Sequence, residues 1–338
     1  MIARSKIVLM VALILSAVIS LGSGRLDPYH LDVVLGIGIN IILAVSLNLI
    51  NGYTGQFSLG HAGFMAVGGY SAAVLTTNFG AKLLPLLGGQ TWALFLVALI
   101  TGGLLAAVAG LLVGAPSLRL KGDYLAIVTL GFNQIIMVII QNMDSVGGAR
   151  GLIGIPGYTN FFWTFAAASI TTYVVVTLVQ STYGRGFLAV HDDEIAAEAM
   201  GINTTRYKIT AFVLGSFFAG IAGGLYAHFK NYISPDGFGF MRSIEIVVMV
   251  ILGGMGNTVG VIIAAILLSL LPVVLREIPT AMIDFVILGL RVKFSIVWRE
   301  LIVIIYSLFI IVLMLARPQG LFSFRWKPKR KVEPAKAA

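Results

Sequence analysis

The chain contains no cysteine, which excludes disulfides, thiolate metal sites and cysteine nucleophiles. Charge is also scarce, at 11% of 338 residues, where a soluble globular protein carries roughly 25%. The dipeptide Gly-Lys never occurs, so the chain has no G-x-x-x-x-G-K-[ST] loop to cradle nucleotide phosphates. H-E-x-x-H and the intramembrane protease signatures G-x-S-G and G-x-G-D are missing too, and no other catalytic set takes their place. Carboxylates within apolar surroundings are confined to Glu245 and Asp284, which argues against a self-powered proton or sodium transporter.

What fills the chain instead is hydrocarbon. Hydrophobic residues make up 58% of it, and the mean hydropathy is +0.97. Apolar runs lie near 7–22, 31–50, 58–78, 92–114, 123–141, 161–180, 209–229 and 300–316, with an interrupted one at 244–275. About 20 residues at 1.5 Å rise cross a bilayer core, and backbone polar groups in lipid must be satisfied within the segment. These features predict an all-α, polytopic transmembrane bundle of about eight spans plus a broken, partly re-entrant Gly-rich unit. Residues 7–22 have the form of a cleaved signal peptide as well, but the charge distribution requires a retained first helix. The stretch 276–299 mixes charge with an apolar centre; it either lies outside the membrane or crosses as a short helix near 281–298.

The net charge of +9 suits a membrane protein's orientation signal rather than nucleic acid, because basic residues crowd the ends of the apolar runs. With the N-terminus in the cytoplasm, fourteen Lys and Arg fall on the cytoplasmic side and five on the other, with four in 276–299 unassigned. Both termini and the 182–208 loop are therefore expected in the cytoplasm. Residues 1–322 form the membrane domain and 323–338 a basic tail.

Two stretches combine glycine with buried polarity. "NGYTGQFSLGHAGFMAVGGYSA" (51–72) holds Gln56, Ser58 and His61; "VILGGMGNTVGVIIAA" (250–265) holds Gly253, Gly254, Asn257 and Thr258. Asn133 and Gln134 add an amide pair in another span. Glycine in spans permits close helix packing, and it also marks helix breaks that line a solute path. Both roles stay open for each of these residues.

The 182–208 loop carries four of the fourteen acidic residues within seven positions: Asp192, Asp193, Glu194 and Glu198. Asp192 or Asp193 suits an N-cap and Gly201 a C-terminal stop. Between them, at 100° per residue, Ile195, Ala196, Ala199 and Met200 share one face, with Glu194 and Glu198 on another. So short an amphipathic helix needs a partner surface, and its acidity disfavours the membrane interface.

These stretches, with the closing "LARPQGLF" (315–322), resemble the LivM-type permeases of branched-chain amino acid ABC importers over about residues 30–322. The resemblance implies that residues 192–202 form a coupling helix docking on an ATPase subunit. Ala196, Ala197 and Gly201 match the family's E-A-A-x-x-x-G signature, while Ile195 stands where its Glu is expected and Glu194 lies one position earlier. It further implies a LivH-type second permease, two ATPases holding ATP and Mg while this chain binds no cofactor, and an extracytoplasmic protein delivering Leu, Ile or Val. A bacterial-type inner membrane is the implied location. A urea or short-amide permease of the same superfamily is the nearest alternative, and a passive channel a more distant one.

Overall fold

The computed structural model describes residues 2–22, 27–117, 122–277, 281–287 and 290–296, with single helical positions at 308, 311, 312 and 315. Twelve α-helices account for most of them. The chain begins with α1 (Ile2–Gly22), α2 (Pro28–Asn48), α3 (His61–Asn78), α4 (Gly80–Leu86), α5 (Thr91–Ser117) and α6 (Asp123–Gln141). It continues with α7 (Phe161–Gln180), α8 (Gly184–Asp192), α9 (Glu194–Ala199), α10 (Thr204–Lys230), α11 (Phe240–Gly253) and α12 (Thr258–Glu277).

Local chemistry places several of the starts. Asp27 caps α2 by accepting from the Tyr29 N–H at 2.9 Å, with Pro28 at the first helical position. Asn160 and Asn203 cap α7 and α10 in the same way. From Ile37 to Asn48 every residue of α2 is buried, as expected of a helix apolar on all sides.

α10 forms the centre, packed against α5, α3 and α2, while α2 also meets α7, α11 and α12. Close backbone approach, alongside buried side chains such as Leu99 and Phe212, holds α3, α5 and α10 together. A Cβ on Gly68 would lie 2.2 Å from the Gly220 Cα, and one on Gly220 would lie 2.5 Å from the Ala106 Cβ. Such small-residue contacts let helix backbones touch where lipid offers no hydrophobic drive to associate. Gly220→Val is expected to destabilise the bundle by about 1–3 kcal/mol through overpacking. Gly36→Ala meets open space and should be neutral or stabilising. Thermal unfolding in detergent separates the two.

Among the described residues, five helices are long and apolar enough to cross a membrane: Pro28–Tyr53, Thr91–Pro116, Tyr124–Gln141, Phe161–Gln180 and Thr204–Lys230. Leu9–Ser20 and Thr258–Val274 are shorter apolar helices. α3 matches the expected run at 58–78, but glycine and polar residues dilute it. Nearly all of the expected run at 300–316 lies outside the described residues. The interruption expected in 244–275 is present between α11 and α12.

The all-α expectation needs correction in two places. β1 (Leu152–Ile153) pairs antiparallel with β2 (Tyr232–Ile233), tying the segment after α6 to the end of α10. β3 (Ala281–Ile287) pairs antiparallel with β4 (Leu290–Ile296), in place of a short crossing helix. Arg291-Val-Lys-Phe-Ser alternates charge or polarity with apolar side chains, which is the period of a strand.

Candidate functional site

The two Gly-rich stretches meet. α2 ends in a π-helical turn, Leu49–Tyr53, and a non-helical segment over 54–60 leads from there to α3. The Ile50 carbonyl accepts both the Thr54 hydroxyl, at 2.6 Å, and the Gln56 N–H, at 3.1 Å. Asn51 braces the same break, its Oδ1 accepting from Ser58 N at 3.2 Å. The α11–α12 break then docks onto this one. Asn48 Oδ1 accepts the Gly256 N–H at 2.9 Å, and the Tyr53 and Thr258 hydroxyls bond at 2.8 Å. Gly52 allows the approach, since a Cβ there would lie 2.3 Å from the Gly256 nitrogen.

α6 and α11 complete the enclosure. Thr129 Oγ1 accepts from Leu59 N at 3.0 Å, and Ser243 Oγ from Ala62 N at 3.3 Å. His61 is fully buried, with Nε2 2.8 Å from Ser46 Oγ. The Ser46 hydroxyl donates to the Leu43 carbonyl, so the ring donates from Nε2 and leaves Nδ1 as an acceptor. That Nδ1 has no partner among the described residues, nor do both side-chain polar atoms of Gln56 and of Asn133. Gln56 is 4% and Asn133 1% exposed, and unpaired buried amides are costly unless something polar reaches them.

Among the expected pathway residues, Gln56, Ser58, His61, Asn133, Gly253, Gly254 and Asn257 lie at or beside the joined breaks. Asn133 sits against α3, where a Cβ on Gly63 would come within 2.7 Å of its Oδ1. Gly253 closes α11, Gly254 takes φ 92° in the turn, and Asn257 caps α12 by accepting from Gly260 N. Gln134 is not brought in with them: one residue along a helix turns it about 100° from Asn133, and it is exposed on α6. Sequence reasoning missed Ser46, Asn48, Tyr53, Thr129 and Ser243. Polar residues inside apolar helices were the available signal, but partners between 15 and 208 positions apart leave no local pattern.

The acidic cassette folds as expected. Asp193, not Asp192, caps α9, accepting from Ile195 N at 2.9 Å and Ala196 N at 3.1 Å. Gly201 adopts φ 82°. With Ile202 N bonded to the Ala197 carbonyl and Gly201 N to that of Glu198, the turn is a Schellman stop. The helix is anchored along one side: Lys208 Nζ lies 2.6 Å from Glu194 Oε1, Thr204 donates to Glu198 Oε1, and Ala197 is buried. The opposite face is bare. Ile195 is 73% and Met200 82% exposed, and Ala196 and Ala199 are exposed beside them.

α8 brings the cassette against the first break. A Cβ on Gly55 would lie 2.9 Å from His191 Nδ1, in the last turn of α8. The exposed face of α9 and the joined breaks thus belong to one end of the bundle, the cassette end.

A family model described as branched-chain amino acid transport system / permease component matches residues 29–316. The high-affinity branched-chain amino acid transport system permease protein LivM of Salmonella typhimurium is 33% identical over 334 residues, covering 88% of this chain and 71% of its own. LivM of Escherichia coli is 34% identical, covering 87% and 70%. The permease protein LivH of Escherichia coli is 24% identical, covering 68% of this chain and 79% of its own. With the match running through the breaks, the cassette and the helices that join them, the chain belongs to the family of branched-chain amino acid transport permease components.

Proposed function

We propose that this chain is the LivM-type half of an ATP-driven importer, carrying Leu, Ile or Val across the cytoplasmic membrane. A LivH-type permease forms the other half, an extracytoplasmic binding protein delivers the amino acid, and two ATPase subunits supply ATP and Mg. The observation that carries this is α9, which turns Ile195, Ala196, Ala199 and Met200 outward while Glu194, Ala197 and Glu198 hold it from behind. An exposed apolar face on a braced helix is what a docking partner requires, and a cytoplasmic position follows from the basic-residue count. The same count puts both termini and the tail from 323 on that side.

The route for solute lies at the joined breaks. Gln56, Ser58, His61 and Asn133 offer neutral hydrogen-bonding groups with no fixed charge, which suits a zwitterion whose side chain is apolar. ATP-driven movement of α9 reaches the route through α8 and the His191–Gly55 contact, favouring inward- or outward-open states by differential binding.

The test is ATP hydrolysis by the complete complex in liposomes. Leucine-loaded binding protein should stimulate it several-fold over the unloaded protein. Stimulation by urea or short amides in place of leucine overturns the substrate, and solute flux without ATP overturns the coupled mechanism.

A further inference from the structure

A groove of about 750 Å³ opens on the outside of the bundle between α3, α4, α5 and α6. It belongs to the end away from the cassette. α10 leaves the cassette and runs alongside α3, with Gly220 beside Gly68 and His228 bonded to Thr76, so α3 also ends at the far side. Thirteen of its fifteen lining residues are apolar. Of the other two, Ser71 spends its hydroxyl on the Val67 carbonyl, whereas Lys82 is exposed and makes no ion pair among the described residues.

We propose that this groove holds one acyl chain of an anionic phospholipid, with the phosphate on Lys82. The depth decides between a lipid and a partner's helix. From Val67 to Phe79, α3 advances about 18 Å, close to one leaflet's share of a roughly 30 Å hydrocarbon core. A spanning helix of another subunit would need a contact running on past Val67 to the cassette end, where the groove stops. At the other extreme Leu83 and Leu86 of α4 wall it, standing where such a helix would have to pass into water. Lys82 lies one turn beyond the end of α3, at headgroup level, where it meets a lipid phosphate.

Native mass spectrometry of the full chain with phosphatidylglycerol and phosphatidylcholine tests this. Retention of phosphatidylglycerol should exceed that of phosphatidylcholine about fivefold, the effect of one lysine near an anionic headgroup. Lys82→Glu should erase the preference yet still retain phosphatidylcholine. Ser71→Trp, or Ile139→Trp on the exposed wall if the first fails to fold, should lower retention of both lipids about tenfold. An unchanged preference in Lys82→Glu, or unchanged retention in both tryptophan variants, overturns the site. So does full maleimide protection of Ile139→Cys on assembly with the second permease, which would mark the groove as a protein interface.

Discussion

Changing Ile195 and Met200 together to aspartate is expected to abolish co-purification of the ATPase subunits while leaving the permease folded. Both side chains are more than two-thirds exposed, so neither change disturbs the bundle. In the docked state each would be desolvated, and burying a large apolar side chain contributes about 1.5–3 kcal/mol. Their joint loss costs about 3–6 kcal/mol, or two to four orders of magnitude in affinity, before adding the penalty of burying two carboxylates. Ala197→Arg behaves differently. Ala197 matches the family signature as well as any residue here, but it is 4% exposed and faces the bundle. An arginine there should loosen α9 from its support and lower the thermal stability of the permease on its own.

Gly52→Ala should nearly abolish leucine transport while ATPase association persists. The added Cβ would stand 2.1 Å from Asn48 Oδ1 and 2.3 Å from the Gly256 nitrogen, the two atoms whose hydrogen bond joins the breaks. Neither can retreat freely, because Asn48 is enclosed in α2 and Gly256 sits in the four-residue turn between α11 and α12. Separating them leaves a part-buried N–H unpaired, at up to about 1–3 kcal/mol, and overpacking adds a similar amount. Transport assays in liposomes, with co-purification as control, separate a misaligned route from a lost partner. Asn48→Ala removes the same hydrogen bond without the clash and should lower transport less.

These two predictions mark what the sequence makes legible. The cassette is short and local, so its N-cap, its Gly201 stop and its apolar face follow from rules acting within a few residues. Ile195 at the position of an expected glutamate also becomes intelligible. Glu194, one residue earlier, points back to Lys208 and braces the helix, while Ile195 extends its exposed apolar face. The apolar runs likewise give the long helices, and glycine with polarity marks both breaks.

The joining of the breaks was not legible. Asn48, Tyr53, Gly256 and Thr258 meet across some 200 positions, and no periodicity encodes a contact of that kind. Asn133 and Gln134 are equivalent as a dipeptide, yet helix rotation buries one and exposes the other. The β3–β4 pair was hidden by length, because a short mixed segment fits a strand pair or a helix equally until its partner strand is known.

The most direct test of α9 as the ATPase contact uses the chain's lack of cysteine. Met200→Cys introduces a single thiol on the exposed face. With the permease pair alone it should label rapidly with a water-soluble maleimide, and with both ATPase subunits bound the rate should fall at least tenfold. Labelling at the same rate with and without the ATPases would mean that this face is not where they dock.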